Sequence, residues 1–278
     1  MKQQGFENVE FPYTDERVFA IVMQDPERCR MLLERIFPNR KVTGIRLKSG
    51  PYLPGKVSGE RTVIPGVMGH GVRFDVLFED DDAWYDIEMQ TINRKDLPKR
   101  TRYYHSMMDQ AYLKRGSKYS ELNPQYVIFI CCFDLLDKGL PLYDFSMTDR
   151  YSGLILGDES YTMILNTKAD RNTIPEELRA FYRYVGGAEI DDSDDLIKSI
   201  HSQVIELNDD KDWRDALMTW GEMLEERYDM GKAEGLVEGK AEGLAEALAS
   251  LVKDGLLTLD QAKARIDDPE LLEKFLNN

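Results

Sequence analysis

The sequence predicts a mixed α/β fold in which helices cover a central sheet. Three observations support it: a β-hairpin around an acidic turn at Asp81 and Asp82, an apolar β-rich run over 126–132, and helical segments on either side of them. The strands show a hydrophobic period of two, and the helices show a spacing of three to four residues. Helices and strands in this order along one chain indicate a sheet with helices packed on it.

The first predicted elements lie before the hairpin. Apolar residues recur near helical spacing over 15–37, but Pro26 interrupts them, so we predict two helical segments that meet at Asp25 and Pro26. A strand is predicted over 41–48. Residues 50–71 are rich in glycine and proline, which is typical of a loop or a hairpin.

The acidic hairpin has a register that the sequence specifies. If the turn is centred between Asp81 and Asp82, one face is wholly apolar and consists of three pairs: Phe74 with Met89, Val76 with Ile87, and Phe78 with Tyr85. The other face places Arg73 opposite Gln90, Asp75 opposite Glu88, and Leu77 opposite Asp86. A slip of one residue would mix the two faces, so the register is well determined.

The later elements begin with a helix over 97–116 that stops at Gly116. The run over 126–132 predicts a strand buried on both faces, and 161–167 predicts another. After residue 170 the pattern is helical, with a helix over 175–185, an acidic helix N-terminus over 191–195 and one or two surface helices over 196–228. We therefore predict a core over 1–170, a helical extension over 171–230 and a tail over 231–278.

Glycine recurs at every fourth position over 231–243, with Ala, Glu and Lys between the glycines. Such a helix is weak, because each glycine costs about 0.5–1 kcal/mol relative to alanine. Charged neighbours exclude a membrane dimerisation motif. The tail is predicted to be a tether or self-association helix that could form a homo-oligomer, or a solvated linker.

The composition excludes several classes of protein. No apolar run approaches the roughly 20 residues needed to span a bilayer, and the N-terminus lacks a signal-peptide pattern. The three cysteines form no CxxC pair, which favours reduced thiols in a cytoplasmic protein. The three histidines are scattered, which argues against zinc. The net charge is −15, yet residues 94–118 contain eight basic and two acidic residues, so binding to a polyanion remains open.

Asp75 and Glu88 are the first candidates for chemistry. Like charges opposite each other in a sheet repel, and a divalent cation is the simplest way to neutralise them. Carboxylates suit Mg²⁺ or Mn²⁺, and the backbone carbonyl of Met89 could add a ligand. The alternative is an acidic hairpin that simply faces solvent.

The string from Gly71 to Val76, followed by Asp86-Ile-Glu88-Met-Gln90, resembles the PD-(D/E)XK nuclease superfamily. Within it, the chain looks like the branch of recombination-promoting nucleases and putative transposases. The similarity continues through 97–109, 113–119 and 126–131, and includes 15–27 and 165–168. The resemblance implies a restriction-endonuclease-like, three-layer α/β core with a mixed sheet, followed by a helical C-terminal region.

The resemblance also implies roles for individual residues. Asp75 matches the metal-binding aspartate, Glu88 matches the acid of the (D/E)xK element, and Gln90 stands where lysine is usual. A nearby cation could replace that lysine. Of Lys95, Lys99, Arg100 and Arg102, we favour Arg100 or Arg102, and only one of the two should face the site. An acid from the first helix, Asp15 or else Glu16, would complete the metal ligands.

The expected function is a Mg²⁺- or Mn²⁺-dependent DNA endonuclease that hydrolyses phosphodiester bonds and acts in DNA mobility or recombination. The alternative is a catalytically degenerate nuclease fold that binds DNA or assembles as an oligomer. Gln90 and the acidic composition favour this alternative.

Overall fold

The computed structural model describes residues 10–49, 63–64, 72–73, 75–113, 116–188, 190, 193–266 and 268–276. The helices are α1 Glu16–Val22, α2 Pro26–Ile36, α3 Leu97–Tyr112, α4 Glu176–Val185, α5 Asp195–Asp209, α6 Lys211–Lys253, α7 Leu259–Lys263 and α8 Pro269–Leu276. The strands are β1 Arg46–Ser49, β2 Val63–Ile64, β3 Val72–Arg73, β4 Val76–Glu79, β5 Trp84–Gln90, β6 Gln125–Cys131, β7 Leu142–Phe145 and β8 Ser160–Asn166.

Six strands form one mixed sheet in the order β1-β4-β5-β6-β8-β7, and β2 pairs with β3 separately. Strands β5, β6 and β8 are parallel, whereas β4 and β7 run antiparallel to their neighbours. The carboxyl ends of the three parallel strands therefore lie along one edge of the sheet. The predicted mixed α/β fold is confirmed.

The predicted hairpin register is confirmed where β4 and β5 pair: Val76 lies opposite Ile87, Leu77 opposite Asp86, and Phe78 opposite Tyr85. Phe74 lies outside the described residues. The prediction for Arg73 was wrong, because this residue pairs with Val63 in the small sheet and not with Gln90. Ladder pairing in the main sheet begins at Val76, one residue after Asp75.

Helices cover both faces of the sheet. On one face α3 contributes Leu97, Tyr104, Met107 and Met108 to a buried cluster with side chains of β4, β5, β6, β7 and β8. On the other face, α1 contacts β5. The ring of Phe37, at the end of α2, lies 4.9 Å from that of Tyr126. The result is a three-layer arrangement.

The break between α1 and α2 falls where the sequence predicts it. Pro26 occupies the first turn of α2, and the Asp25 carboxylate accepts hydrogen bonds from the backbone N–H groups of Glu27 and Arg28. Proline is tolerated at this position because its missing N–H would have no partner within the helix. Helix α3 ends at Tyr112, before the predicted stop at Gly116.

Helix α5 corrects the prediction of a surface helix over its span. It buries a stripe of five apolar side chains and contacts α1, α2 and α4: Leu196, Ile197, Ile200, Val204 and Leu207. Arg35 of α2 donates hydrogen bonds of 2.8 and 2.7 Å to Asp194, which caps α5. The stripe is visible in the sequence, but its packing partner is not.

The chain divides into two compact units, 1–214 and 215–278. The second unit has a small core of Leu248, Ala249, Ala262 and Leu272. The glycine repeat lies within the continuous helix α6. Among the described helices, none is both long enough and apolar enough to cross a membrane.

Candidate active site

The carboxylates of Asp75 and Glu88 form an interlocked pair just before β4, in which each accepts a hydrogen bond from a backbone N–H of the other's segment. The backbone N–H of Asp75 donates to Glu88 Oε1 at 2.9 Å, and the N–H of Met89 donates to Asp75 Oδ2 at 3.3 Å. Asp75 stands just before the β4 ladder, which leaves its N–H to bond the glutamate. Both side chains are buried, Glu88 almost completely. The structure therefore brings the two predicted acids together and fixes one against the other.

The acids line a cleft of about 570 Å³ that also includes Asp15 and Glu16. The Asp15 carboxylate already has partners: it caps α1 and pairs with Arg17, whose Nε lies 2.8 Å from Oδ1. Both candidate helix acids thus reach the cleft. Asp15 would have to release Arg17 in part to act as a ligand there.

Arg100 and Arg102 take different positions. Arg100, near the start of α3, donates to Gln90 Oε1 at 3.0 Å and to the hydroxyl of Tyr104 at 2.9 Å. Its Nη2 lies 3.6 Å from Glu88 Oε2. Arg102 is exposed and does not line the cleft. Side chains two positions apart on a helix point about 200° away from each other. Of these two arginines, therefore, Arg100 alone reaches the acids.

Asp86 is a third acid that sequence reasoning gave no role. It is fully buried, no N–H or hydroxyl group among the described residues donates to either carboxyl oxygen, and its carboxyl interacts with that of Glu88. Burial raises the pKa of its carboxyl well above the usual value, and the charge of Asp75 raises it further. The available signal was its spacing of two from Glu88, which puts both on one face of β5.

Glu88 shares this environment. Burial raises the pKa of the Glu88 carboxyl well above its usual value, and the charge of Asp86 adds to the shift. The hydrogen bond from the Asp75 N–H and the charge of Arg100 act in the opposite direction. The charge of Arg100 thus offsets only part of the shift, and the buried Glu88 carboxyl holds its proton more tightly than an exposed glutamate does.

The donor set fits a hard divalent cation. Asp75 and Glu88 offer carboxylate oxygens, and a cation bound to them would favour the ionised form of the Glu88 carboxyl, which burial disfavours. Within the described ranges, no group of three or more His, Cys, Asp or Glu side chains is arranged to hold a metal. Such a site suits Mg²⁺ or Mn²⁺, which can be held by two carboxylates while keeping several waters.

A six-stranded mixed sheet flanked by helices is consistent with the restriction-endonuclease-like fold. The family model described as PD-(D/E)XK nuclease family transposase matches residues 31–181, more than half of the chain, and the chain belongs to this family. The matched range contains Asp75, Glu88, Gln90 and Arg100 but not Asp15. Neither the curated proteins nor the solved structures contain a match. Nucleases of this kind generally use divalent metals.

Proposed function

We propose that the chain is a metal-dependent DNA endonuclease that hydrolyses phosphodiester bonds. The observation that carries the proposal is the interlocked pair of Asp75 and Glu88, which faces a cleft beside Arg100. Family membership supports nuclease chemistry, and the arrangement of these side chains supports a metal-assisted form of it. A role in DNA recombination or transposition rests on the family alone.

The carboxylates of Asp75 and Glu88 and the carbonyl of Met89 would hold Mg²⁺ or Mn²⁺, with Asp15 as a further ligand. When bound, such an ion supplies Lewis-acid activation of a phosphoryl oxygen and lowers the pKa of a coordinated water. The protein's contribution is the fixed geometry of its two acids. Each accepts a backbone N–H bond, so neither has to be ordered during the reaction.

Arg100 and Gln90 would together replace the lysine that is usual at the position of Gln90. The Gln90 oxygen is bonded to Arg100, so the amide NH₂ is the end of the side chain left to position a water or a phosphate oxygen. Arg100 brings the positive charge that the glutamine lacks. Tyr104 holds the guanidinium in place, and the charge can then offset the negative charge that builds up on the scissile phosphate.

Cations around the cleft support an anionic substrate. Arg94 lines the cleft together with Arg100, and both belong to the basic stretch over 94–118. DNA binding depends on the local field and not on the total charge, so a net charge of −15 does not oppose this substrate.

The test compares nicking of supercoiled plasmid by the wild-type protein, Asp75→Ala and Glu88→Ala, with Mg²⁺ or with EDTA. We expect cleavage by the wild type with Mg²⁺ only, and a loss of at least about 10³-fold in each variant, comparable to removing a principal electrostatic element of an active site. Equal nicking by all three proteins would overturn the proposal.

A second candidate is a nuclease fold that has lost catalysis and binds DNA without cutting it. Gln90 in the lysine position favours this candidate, because a neutral amide cannot stabilise charge as an ammonium does. Titration calorimetry with Mn²⁺ separates the two, since a saturable site that disappears in Glu88→Ala is expected only of the enzyme.

A further inference from the structure

A second, basic pocket lies on the sheet edge that carries the candidate active site. It has a volume of about 230 Å³, and three cations line it: Lys168, Arg171 and Arg183. Lys168 follows β8, Arg171 follows it in the next loop, and Arg183 belongs to α4. The loop after β8 and helix α4 thus place positive charge around one small concavity.

The side chains of all three cations are exposed to solvent around the pocket. Within the described part of the chain, none of the three makes an ion pair with an acid. The adjacent Asp170 carboxylate accepts hydrogen bonds from the backbone and side chain of Asn172. Lysine and arginine side chains without a partner on a concave surface are suited to binding an anion.

The end of helix α4 does not need the cations either. The carbonyl of Tyr182 accepts the N–H of Gly186 at 3.0 Å, and the carbonyl of Arg183 accepts the N–H of Ala188 at 2.9 Å. The chain after the helix therefore satisfies the carbonyls that a basic side chain could otherwise cap.

The pocket is connected to the active site by the sheet itself. In the parallel register Gln90 lies beside Cys131, and Cys131 beside Asn166. The N–H of Cys132 donates to the Gln90 carbonyl at 2.9 Å, and that of Thr167 donates to the Cys131 carbonyl at 3.0 Å. Thr167 lines the pocket. Two strand spacings, about 10 Å, separate Gln90 from this residue.

We propose that the Lys168–Arg171–Arg183 pocket binds a backbone phosphate of the DNA, near the phosphate that would be cleaved. The inference rests on the proposed function for the identity of the strand. The duplex rises by roughly 3.4 Å along its axis for each phosphate of one strand, so a phosphate within the next few positions of the strand in the cleft can reach a pocket about 10 Å away. One strand can therefore occupy the cleft and the pocket together, and the pocket fixes the direction in which it crosses the sheet edge.

The test measures binding of a fluorescent DNA duplex at several salt concentrations, with Ca²⁺ in place of Mg²⁺ to prevent cleavage. The variant carries Lys168→Gln, Arg171→Gln and Arg183→Gln. Its matched control carries Lys41→Gln, Arg150→Gln and Lys240→Gln, three exposed cations that line neither the cleft nor the pocket. We expect the pocket variant to bind about tenfold more weakly and the slope of log K against log[salt] to fall by about 1, the value for one phosphate.

Plasmid nicking by the same proteins separates this inference from the proposed function. A pocket variant that keeps the salt slope of the control overturns the inference, while the wild type can still cut. Reduced slope and affinity support it even if no protein cuts, which is a failure of the proposed function alone. If inorganic phosphate raises the melting temperature of the wild type but not of the variant, and DNA affinity is unchanged, the pocket binds free anions and the DNA assignment is wrong.

Discussion

The two ends of the acidic hairpin bury carboxylates in opposite ways. At the turn, Asp80 is buried, and its Oδ1 accepts the N–H groups of Asp82 and Ala83 at 2.8 and 2.7 Å. Its Oδ2 accepts the Tyr85 hydroxyl at 2.9 Å. Towards the cleft, Asp86 is equally buried and accepts no such bond from the part of the chain that the structure describes. Glu88, which lines the cleft, accepts one N–H bond and has the Arg100 guanidinium at 3.6 Å.

Burial and charge alone therefore do not distinguish a structural acid from a functional one. Both ends are buried and acidic, and both lie in the same hairpin. The difference is whether the protein satisfies the carboxylate. An unsatisfied buried polar group costs free energy, and a bound ion, a buried water or a catalytic role are the usual reasons for one. On this criterion Asp80 belongs to the fold, whereas Glu88, with Asp86 two residues away on the same face of β5, is consistent with the proposed site.

The largest effect in this comparison is expected for Arg100, whose guanidinium lies 3.6 Å from the Glu88 carboxylate. Arg100→Ala should lower the rate of plasmid cleavage by about 10²–10³-fold, because it removes the charge aimed at the scissile phosphate. Arg102→Ala, two residues along the same helix, should change the rate less than twofold. Single-turnover cleavage measures both. Equal losses in the two variants would mean that orientation on α3 is unimportant.

A substitution at the turn end is expected to lower the stability of the protein and to leave its activity unchanged. Asp80→Ala leaves the Ala83 N–H and the Tyr85 hydroxyl without their partner, so the free energy of unfolding should fall by about 2–4 kcal/mol. Glu88→Ala in EDTA should cost less than about 1 kcal/mol, since it also relieves the repulsion with Asp86. Urea titrations measure both values. A loss in Glu88→Ala as large as that in Asp80→Ala would make the acid pair structural.

The smallest effect is expected at Asp86, in metal-free protein. Because its folded pKa is raised, the folded state keeps a proton that the unfolded chain releases, so stability falls as pH rises above the unfolded value of about 3.9. Asp86→Asn removes this loss and should gain about 1 kcal/mol at pH 8. The gain should shrink towards pH 5. Urea unfolding in EDTA at the two pH values is the measurement, and a gain that does not depend on pH would contradict the account.

The sequence predicted those parts of the fold that depend on local patterns. The register of β4 and β5 followed from the alternation around Val76 and Ile87, and the break between α1 and α2 followed from Pro26. Strand β7 was missed, because its four residues form a half-exposed sheet edge with no clear alternation. The burial of α5 was missed because a stripe such as that of Leu196 and Ile200 does not reveal what it packs against.

For the candidate site, as for the fold, the sequence predicted the local arrangement of residues but not the packing around them. Hairpin geometry and the family resemblance placed Asp75 beside Glu88, and the contact between the two is present. The choice between Arg100 and Arg102 required the packing of α3 on the sheet. The unusual state of Asp86 could not be predicted from the sequence, because it depends on which described neighbours donate a hydrogen bond to its carboxyl, and none does.

The central claim is that Asp75 and Glu88 share one divalent ion. Anomalous diffraction from crystals soaked in Mn²⁺ tests it most directly, with Glu88→Gln crystals as the control. We predict one strong peak in contact with both carboxylates and with the Met89 carbonyl, and its loss in the control. Manganese bound elsewhere, or a peak that survives in Glu88→Gln, would contradict the claim.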